Sequence, residues 1–250
     1  NYENFSSTSA MFSSTGVTEV DIRNISVGVG NSAYGMFSDC QNLTKATIVN
    51  VGTTDSSGAA ATSNFRHMFA EDKKLESLYL ENFHNGPVAR ADYLATGCSS
   101  LKTLEIKNSF NGQSRNDAYN LRYMFNECPL STKAELTDSF NGSGGYNYLM
   151  FYGAFSAPSQ LKATRCFNGD NANNIRLISD CPYLRTVELT DVAKGQNAYL
   201  SYMFYNLPSL TNVKLTRVGT GQGAQCFKMF NSVCNWTNTT NMPEGTTCTY

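Results

Sequence analysis

The chain has 250 residues, of which 41% are hydrophobic and 16% are charged, with a formal net charge of −1. This hydrophobic content is enough to form a buried core and excludes a disordered chain. The balanced charge gives no support for binding to nucleic acid or to an anionic membrane surface. No run of about 18 apolar residues occurs, so we expect no transmembrane segment.

Two adjacent bulky residues, most often Met-Phe, recur at intervals of 25 to 32 residues. The pairs are Met11-Phe12, Met36-Phe37, Met68-Phe69, Leu94-Ala95, Met124-Phe125, Phe151-Tyr152, Leu177-Ile178, Met203-Phe204 and Met229-Phe230. Apolar residues around several pairs follow the i, i+3, i+4, i+7 spacing of one helical face. In one repeat they are Leu121, Met124, Phe125 and Cys128. We therefore predict a short helix at each pair.

After each pair the apolar period changes to two, which is typical of a short strand with one buried face. The predicted strands contain Val20/Ile22, Ala46/Ile48, Leu78/Leu80, Leu104/Ile106, Ala134/Leu136, Leu161/Ala163, Val187/Leu189 and Val213/Leu215. A Phe-Asn-Gly sequence follows three of them, at Phe110, Phe140 and Phe167. Because Asn and Gly tolerate positive φ, we predict that each forms a corner where the chain leaves the strand.

One strand and one helix in about 26 residues cannot bury their apolar faces without neighbours, so the units must stack. We predict a single α/β solenoid domain over residues 1–250, with about nine repeats and one parallel sheet. The crossover rule makes it right-handed. A parallel β-helix is the rival architecture, but the helical spacing argues against three strands per coil. Residues from about 226 to 250 are predicted to cap the last repeat, where Cys234 and Cys248 could form a disulfide, although other pairings with Cys226 stay open.

Over about residues 10 to 235 the repeats share the pattern M-F-x-x-C-x-x-L-x-x-L-x-L-x-x-F. It is clearest in "YGMFSDCQNLTKATIVNV", "HMFAEDKKLESLYLENF" and "YLATGCSSLKTLEIKNSF". This pattern resembles the BspA-like leucine-rich repeats of bacterial cell-surface proteins. The resemblance implies a right-handed leucine-rich-repeat solenoid outside the cell and a role in adhesion to host or microbial partners. It implies no particular ligand.

The position three residues after the second member of each pair is cysteine in four repeats, namely Cys40, Cys98, Cys128 and Cys181, and in three others is Phe155, Leu207 or Val233. Since apolar residues replace these cysteines, we predict buried free thiols on the helix face. Asp72 stands in the same position and predicts an exposed or frayed helix end.

The two histidines give no support for catalysis, because neither lies beside a nucleophile or a second ligand in the sequence. His67 is predicted to flank a helix and His84 to lie in a turn. Asn168, Asp170 and Asn174 alternate as calcium ligands do, but Ala172 interrupts the series. We predict no cofactor and no metal site.

The outward residues of the predicted strands form the most extensive candidate binding surface, which we call the sheet strip. It consists of Tyr79, Glu81, Glu105, Lys107, Glu135, Lys162, Glu188 and Lys214. We predict that it is concave and mixed in charge. A plain solvated sheet face is the alternative interpretation, since it carries one aromatic ring.

These observations predict a non-catalytic, secreted or cell-surface binding or adhesion module for a protein or glycan. A structural spacer within a larger surface protein is the alternative. A glycoside hydrolase that uses a carboxylate pair such as Glu105 and Glu135 is a remote alternative, because open strand faces rarely form pockets.

Overall fold

A computed structural model describes residues 8–25, 32–52, 62–86, 88–112, 120–156 and 158–233. The described chain is a solenoid of parallel strands, which confirms the predicted repeat architecture. The strands are β1 (Glu19–Ile25), β2 (Lys45–Val51), β3 (Thr62–Asn64), β4 (Ser77–Glu81), β5 (Val88–Arg90), β6 (Thr103–Lys107), β7 (Lys133–Thr137), β8 (Phe151–Tyr152), β9 (Ser159–Thr164), β10 (Ile178–Ser179), β11 (Leu184–Val192), β12 (Phe204–Leu207), β13 (Asn212–Val218) and β14 (Phe230–Val233).

The eight predicted strands form one long parallel sheet, in the order β1-β2-β4-β6-β7-β9-β11-β13. Their apolar residues alternate inward as the period of two predicts, so Leu104 and Ile106 of β6 are fully buried between strands β4 and β7. At the ends of the sheet, Ile22, Val213 and Leu215 are only partly buried. Neighbouring coils therefore supply the cover that a single repeat lacks.

The predicted helices are wrong, because the described residues contain no helix. In the first coils the Met-Phe pairs lie in consecutive turns, and in the later coils they lie at or in strands β8, β10, β12 and β14. The backbone shows the reason at Met68-Phe69, where the flanking residues His67 and Glu71 have φ values of 56° and 63°. Left-handed residues four positions apart are incompatible with an α-helix.

Hydrogen bonding of the Met-Phe segment alternates between the same coil and the next one. The Met68 N–H donates to Phe65 O at 3.3 Å within a turn, whereas the Phe69 N–H donates to Leu94 O at 2.8 Å in the next coil. Successive turns place residues i, i+3 and i+4 inward, as a helix would. The periodicity was therefore a correct indication of the buried face and a wrong indication of the backbone. The parallel β-helix that the spacing argued against is the closer description.

A third line of contacts completes each coil. It comprises the short sheet β3-β5 and the single parallel bridges Ser32 to Asn64, Arg90 to Asn120, Asn120 to Tyr146, Tyr146 to Asn173, Asn173 to Tyr199 and Tyr199 to Gln225. Between the three lines lies a core with stacked aromatic rings. The Phe110 and Phe140 ring centroids are 5.1 Å apart, and those of Phe140 and Phe167 are 5.0 Å apart.

Each Phe-Asn-Gly corner needs its glycine because the backbone of the neighbouring coil lies close to it, and not because the glycine adopts a positive φ. The positive φ belongs to the phenylalanine, 61° at Phe140 and 59° at Phe167. A Cβ atom added to Gly169 would lie 1.9 Å from Gly142 O in the preceding coil. The predicted corner is thus present, but the predicted role of positive φ for its glycine is wrong. Glycine is required because the next coil leaves no space for a side chain.

The asparagines of these corners connect successive coils through both side-chain atoms. Asn141 Oδ1 accepts from the Asn168 N–H at 2.9 Å, and Asn141 Nδ2 donates to Arg165 O at 3.0 Å. Asn111 bonds in the same way to Asn141 and to Asp138 O. Each amide therefore satisfies backbone groups that a corner of a single coil would leave unpaired.

The repeat register in one coil differs from the predicted one. Phe151 pairs with Ile178 and stacks on Phe125 with centroids 5.4 Å apart. The pair is therefore Met150-Phe151 and not Phe151-Tyr152, and Ala154 occupies the position predicted for Phe155. The run "YLMFY" consists of five bulky residues, so its apolar pattern allowed two alignments one residue apart.

Two buried asparagines lie where the neighbouring coils have leucine. Asn147 Nδ2 donates to Asn174 Oδ1 at 2.8 Å, and the other side-chain atom of each amide is buried and has no partner among the described residues. Leu121 and Leu200 occupy this position in the adjacent coils and are fully buried. The pair is therefore a polar interruption in an apolar column.

We expect Asn147→Leu alone to lower the free energy of unfolding by about 2 kcal/mol, because Asn174 Oδ1 then loses its only donor while staying buried. Asn147→Leu combined with Asn174→Leu should be at least as stable as the unmodified chain, since both unpaired amide atoms disappear. Urea unfolding of the four proteins of this double-mutant cycle tests the expectation. A double variant that is less stable than the single one would contradict it.

Candidate functional site

The long sheet places the sheet strip in two adjacent rows. The first row, in register across six strands, is Tyr79, Glu105, Glu135, Lys162, Glu188 and Lys214. Glu81 and Lys107 are opposite each other in the second row. A depression of about 280 Å³ at one end is lined by Glu188 and Lys214 together with their neighbours. The structure thus brings together all the predicted site residues on one face.

Side chains of the sheet strip largely pair with one another. Lys107 Nζ lies 2.6 Å from Glu105 Oε1 and 5.3 Å from the centre of the Tyr79 ring. The Tyr79 hydroxyl donates to Glu81 Oε2 at 2.6 Å. The Lys133 ammonium, 3.0 Å from the Glu135 carboxylate, donates a hydrogen bond that lowers the pKa of Glu135. Five of the eight sheet-strip residues are thus paired, whereas Lys162, Glu188 and Lys214 form no ion pair within the described ranges.

A second surface, which sequence analysis did not identify, lies on the line of single bridges. We call it the amide-tyrosine ladder. Its members, one per coil, are Asn120, Tyr146, Asn173, Tyr199 and Gln225. Amide and aromatic side chains alternate along it. A groove of about 500 Å³ is lined by four of these residues together with Arg122, Gly144 and Asn171.

From Tyr146 to Gln225, the ladder side chains point outward because the residues on both sides of each ladder position are buried. Ala198 and Leu200 beside Tyr199 are buried, while Tyr199 itself is 37% exposed. Tyr146 is 36% exposed. Large aromatic side chains that are exposed to solvent on a backbone fixed by neighbouring coils are characteristic of binding surfaces.

Polar groups around the groove are positioned by neighbouring coils. The Arg122 guanidinium lies 5.9 Å from the centre of the Tyr146 ring, and its Nε is 3.4 Å from the buried carboxylate of Asp92. The Oδ1 atom of Asn120 is buried and has no hydrogen-bond partner within the described ranges. The groove therefore contains one positioned cation and two exposed tyrosine rings.

An aromatic row runs close to this groove on the turn segments. Tyr34, His67, Tyr93 and Tyr123 form it, with successive ring centroids 5.2 to 5.3 Å apart. His67 was predicted to flank a helix, and it lies instead in a turn between the Tyr34 and Tyr93 rings. Burial lowers its pKa, so the row is an uncharged aromatic surface at neutral pH.

The remaining residues considered for chemistry are structural. His84 is fully buried against Phe65, Phe83 and Phe110, and burial lowers its pKa to about 3. Asn168 Oδ1 and Asp170 Oδ1 accept backbone N–H groups of the next coil. No set of three or more His, Cys, Asp or Glu side chains in the described ranges is placed to hold a metal ion.

The predicted buried free thiols are confirmed for Cys40, Cys98, Cys128 and Cys181. Cys98 Sγ donates to Phe69 O at 3.0 Å, in the preceding coil. Cys226 forms a disulfide. Cys234 and Cys248, which were predicted to close a C-terminal loop, lie outside the described residues, as does most of the predicted cap.

Asp72 was predicted to be exposed, and this is wrong. It is fully buried, and its Oδ1 accepts the Cys40 N–H at 2.7 Å, while Oδ2 has no partner within the described ranges. Burial raises the pKa of Asp72 to about 8. The carboxyl group is therefore mostly neutral at pH 7.

Comparison with protein-family models, curated proteins and solved structures finds no match to this chain. None of the described segments forms a helix with the length and apolarity that crossing a membrane requires.

Proposed function

We propose that this protein is a non-catalytic binding module, secreted or displayed at a bacterial cell surface, that recognises a protein or glycan through an outer face of the solenoid. The observation that carries the proposal is the groove on the amide-tyrosine ladder, where exposed tyrosines and amides converge. The resemblance to BspA-like leucine-rich repeats, with its right-handed coil and adhesive role, belongs to the same proposal and supports the extracellular location.

A structural spacer is the second candidate, and the sheet strip favours it. The charged side chains in strands β6 and β7 are already paired, as Lys107 is with Glu105 and Lys133 with Glu135. The same pairing gives no support to a glycosidase. A general acid needs a raised pKa, whereas the hydrogen bond from Lys133 lowers the pKa of Glu135.

Binding of the folded protein to immobilised extracellular-matrix proteins, mucins and polysaccharides tests the proposal. We expect saturable binding to at least one of them, weakened about tenfold or more by Tyr146→Ala combined with Tyr199→Ala. The combination of Tyr79→Ala, Glu105→Ala and Lys107→Ala is the matched change on the sheet strip. If only this triple variant loses binding, the module binds through the sheet strip. Absence of any binding would contradict the proposal and favour the spacer.

A further inference from the structure

We infer that the amide-tyrosine ladder binds an extended, uncharged, β-1,4-linked glycan chain lying along the solenoid axis, with one sugar unit on each coil. This inference rests on the proposed binding function and names the ligand class and its orientation. Three features carry it: the spacing of the ladder, the alternation of its side chains and the balance of charge in the groove.

The spacing of the ladder is set by the parallel bridges that join its members. Successive members are about 4.8 Å apart, as adjacent strands are, so Tyr146 and Tyr199 are about 10 Å apart with Asn173 between them. The rise of one pyranose in an extended β-1,4 chain is close to the first distance. The repeat along the ladder and the repeat along an extended glycan are therefore similar.

The alternation of amides and tyrosines along the ladder matches the alternation of sugar faces. In an extended β-1,4 chain, alternate sugars turn the same face to one side. The two tyrosines stand on alternate coils, so both rings can pack on equivalent sugar faces. The amides of Asn173 and Gln225 then lie beside the intervening units, where they can donate to and accept from hydroxyl groups.

The charge of the groove lining favours an uncharged ligand. Arg122 is the one ionised side chain among the described residues that line it, and its guanidinium lies beside both the Asp92 carboxylate and the Tyr146 ring. A polyanionic chain would need several free cations in a row. The lining therefore suits hydroxyl-rich, uncharged sugars, and a single exposed cation does not select against them.

Isothermal titration calorimetry with β-1,4-linked oligosaccharides of glucose, xylose, mannose and N-acetylglucosamine, from disaccharide to octasaccharide, tests the inference. We expect at least one series to bind with an affinity that rises with length until about five coils are covered and then levels off. The α-1,4-linked glucose series has the same hydroxyl groups on a coiled chain and should bind much more weakly. Equal binding of both glucose series would overturn the inference.

Variants locate the site. Tyr146→Ala and Tyr199→Ala should each reduce the affinity about tenfold. Tyr183→Ala is the matched control, because Tyr183 is 52% exposed but lies outside the ladder and the groove lining. Circular dichroism of each variant must match that of the unmodified protein.

The outcomes separate this inference from the proposed function. Glycan binding that survives both ladder variants would overturn the inference and leave a binding module with another site. Binding to matrix proteins or mucin polypeptide without binding to any uncharged β-1,4 chain would have the same meaning. Loss of all binding in every assay would overturn both.

Discussion

Replacing Gly169 with alanine is expected to destabilise the solenoid by at least about 3 kcal/mol or to prevent folding. The added Cβ would lie 1.9 Å from Gly142 O, 2.5 Å from the Gly142 carbonyl carbon and 3.0 Å from Ser143 N. All three are backbone atoms, so no side-chain rotation can relieve the contact. Separating the coils would also stretch the hydrogen bond from the Asn168 N–H to Asn141 Oδ1.

Gly16→Ala is the matched control for this change. Its added Cβ would meet no atom within 4 Å among the described residues, and its φ is not in the left-handed region. We expect this variant to stay within about 1 kcal/mol of the unmodified protein. Urea unfolding followed by circular dichroism gives the comparison. Equal urea unfolding midpoints for the two alanine variants would show that the corner at Gly169 tolerates a side chain.

Asp72 is expected to make the protein less stable as the pH rises from about 4 to about 8. Burial raises the pKa of its carboxyl group from 3.8 to about 8, so the folded state holds a proton that the unfolded chain releases in this window. The free energy of unfolding should therefore fall by up to about 1.4 kcal/mol per pH unit from this group. Above pH 8 both states are ionised and its contribution to the slope ends.

Asp72→Asn tests this assignment because the amide keeps the Oδ1 acceptor for the Cys40 N–H but cannot ionise. We expect the variant to be close to the unmodified protein in stability at pH 4 and clearly more stable at pH 8. Both proteins contain His84, whose pKa burial lowers to about 3, so its own pH dependence cancels when their unfolding midpoints are compared at each pH. A variant that retains the full pH dependence would show that another group causes it.

The amide-tyrosine ladder shows how a small error in register hides a site. Each of its members lies four residues before the first residue of a pair, as Tyr146 does before Met150 and Tyr199 before Met203. With Phe151 taken as the first residue, this column contains Asn147, which is buried, and the alternation is lost. The signal is thus present in the sequence, but only the pairing of Phe151 with Ile178 makes it readable.

The sequence by itself determined the repeat, the eight strands of the long sheet and their buried faces. An apolar period of two, repeated in every unit, places all apolar residues on the buried face in only one register of a stacked sheet. It also determined which residues around each Met-Phe pair face inward. Only the tertiary structure decided the backbone of those segments, since turns and a helix bury the same positions. In this protein alternate N–H groups of these segments are satisfied by the next coil, as the Phe69 N–H is by Leu94 O, and this long-range pairing replaces the helix that local spacing predicts.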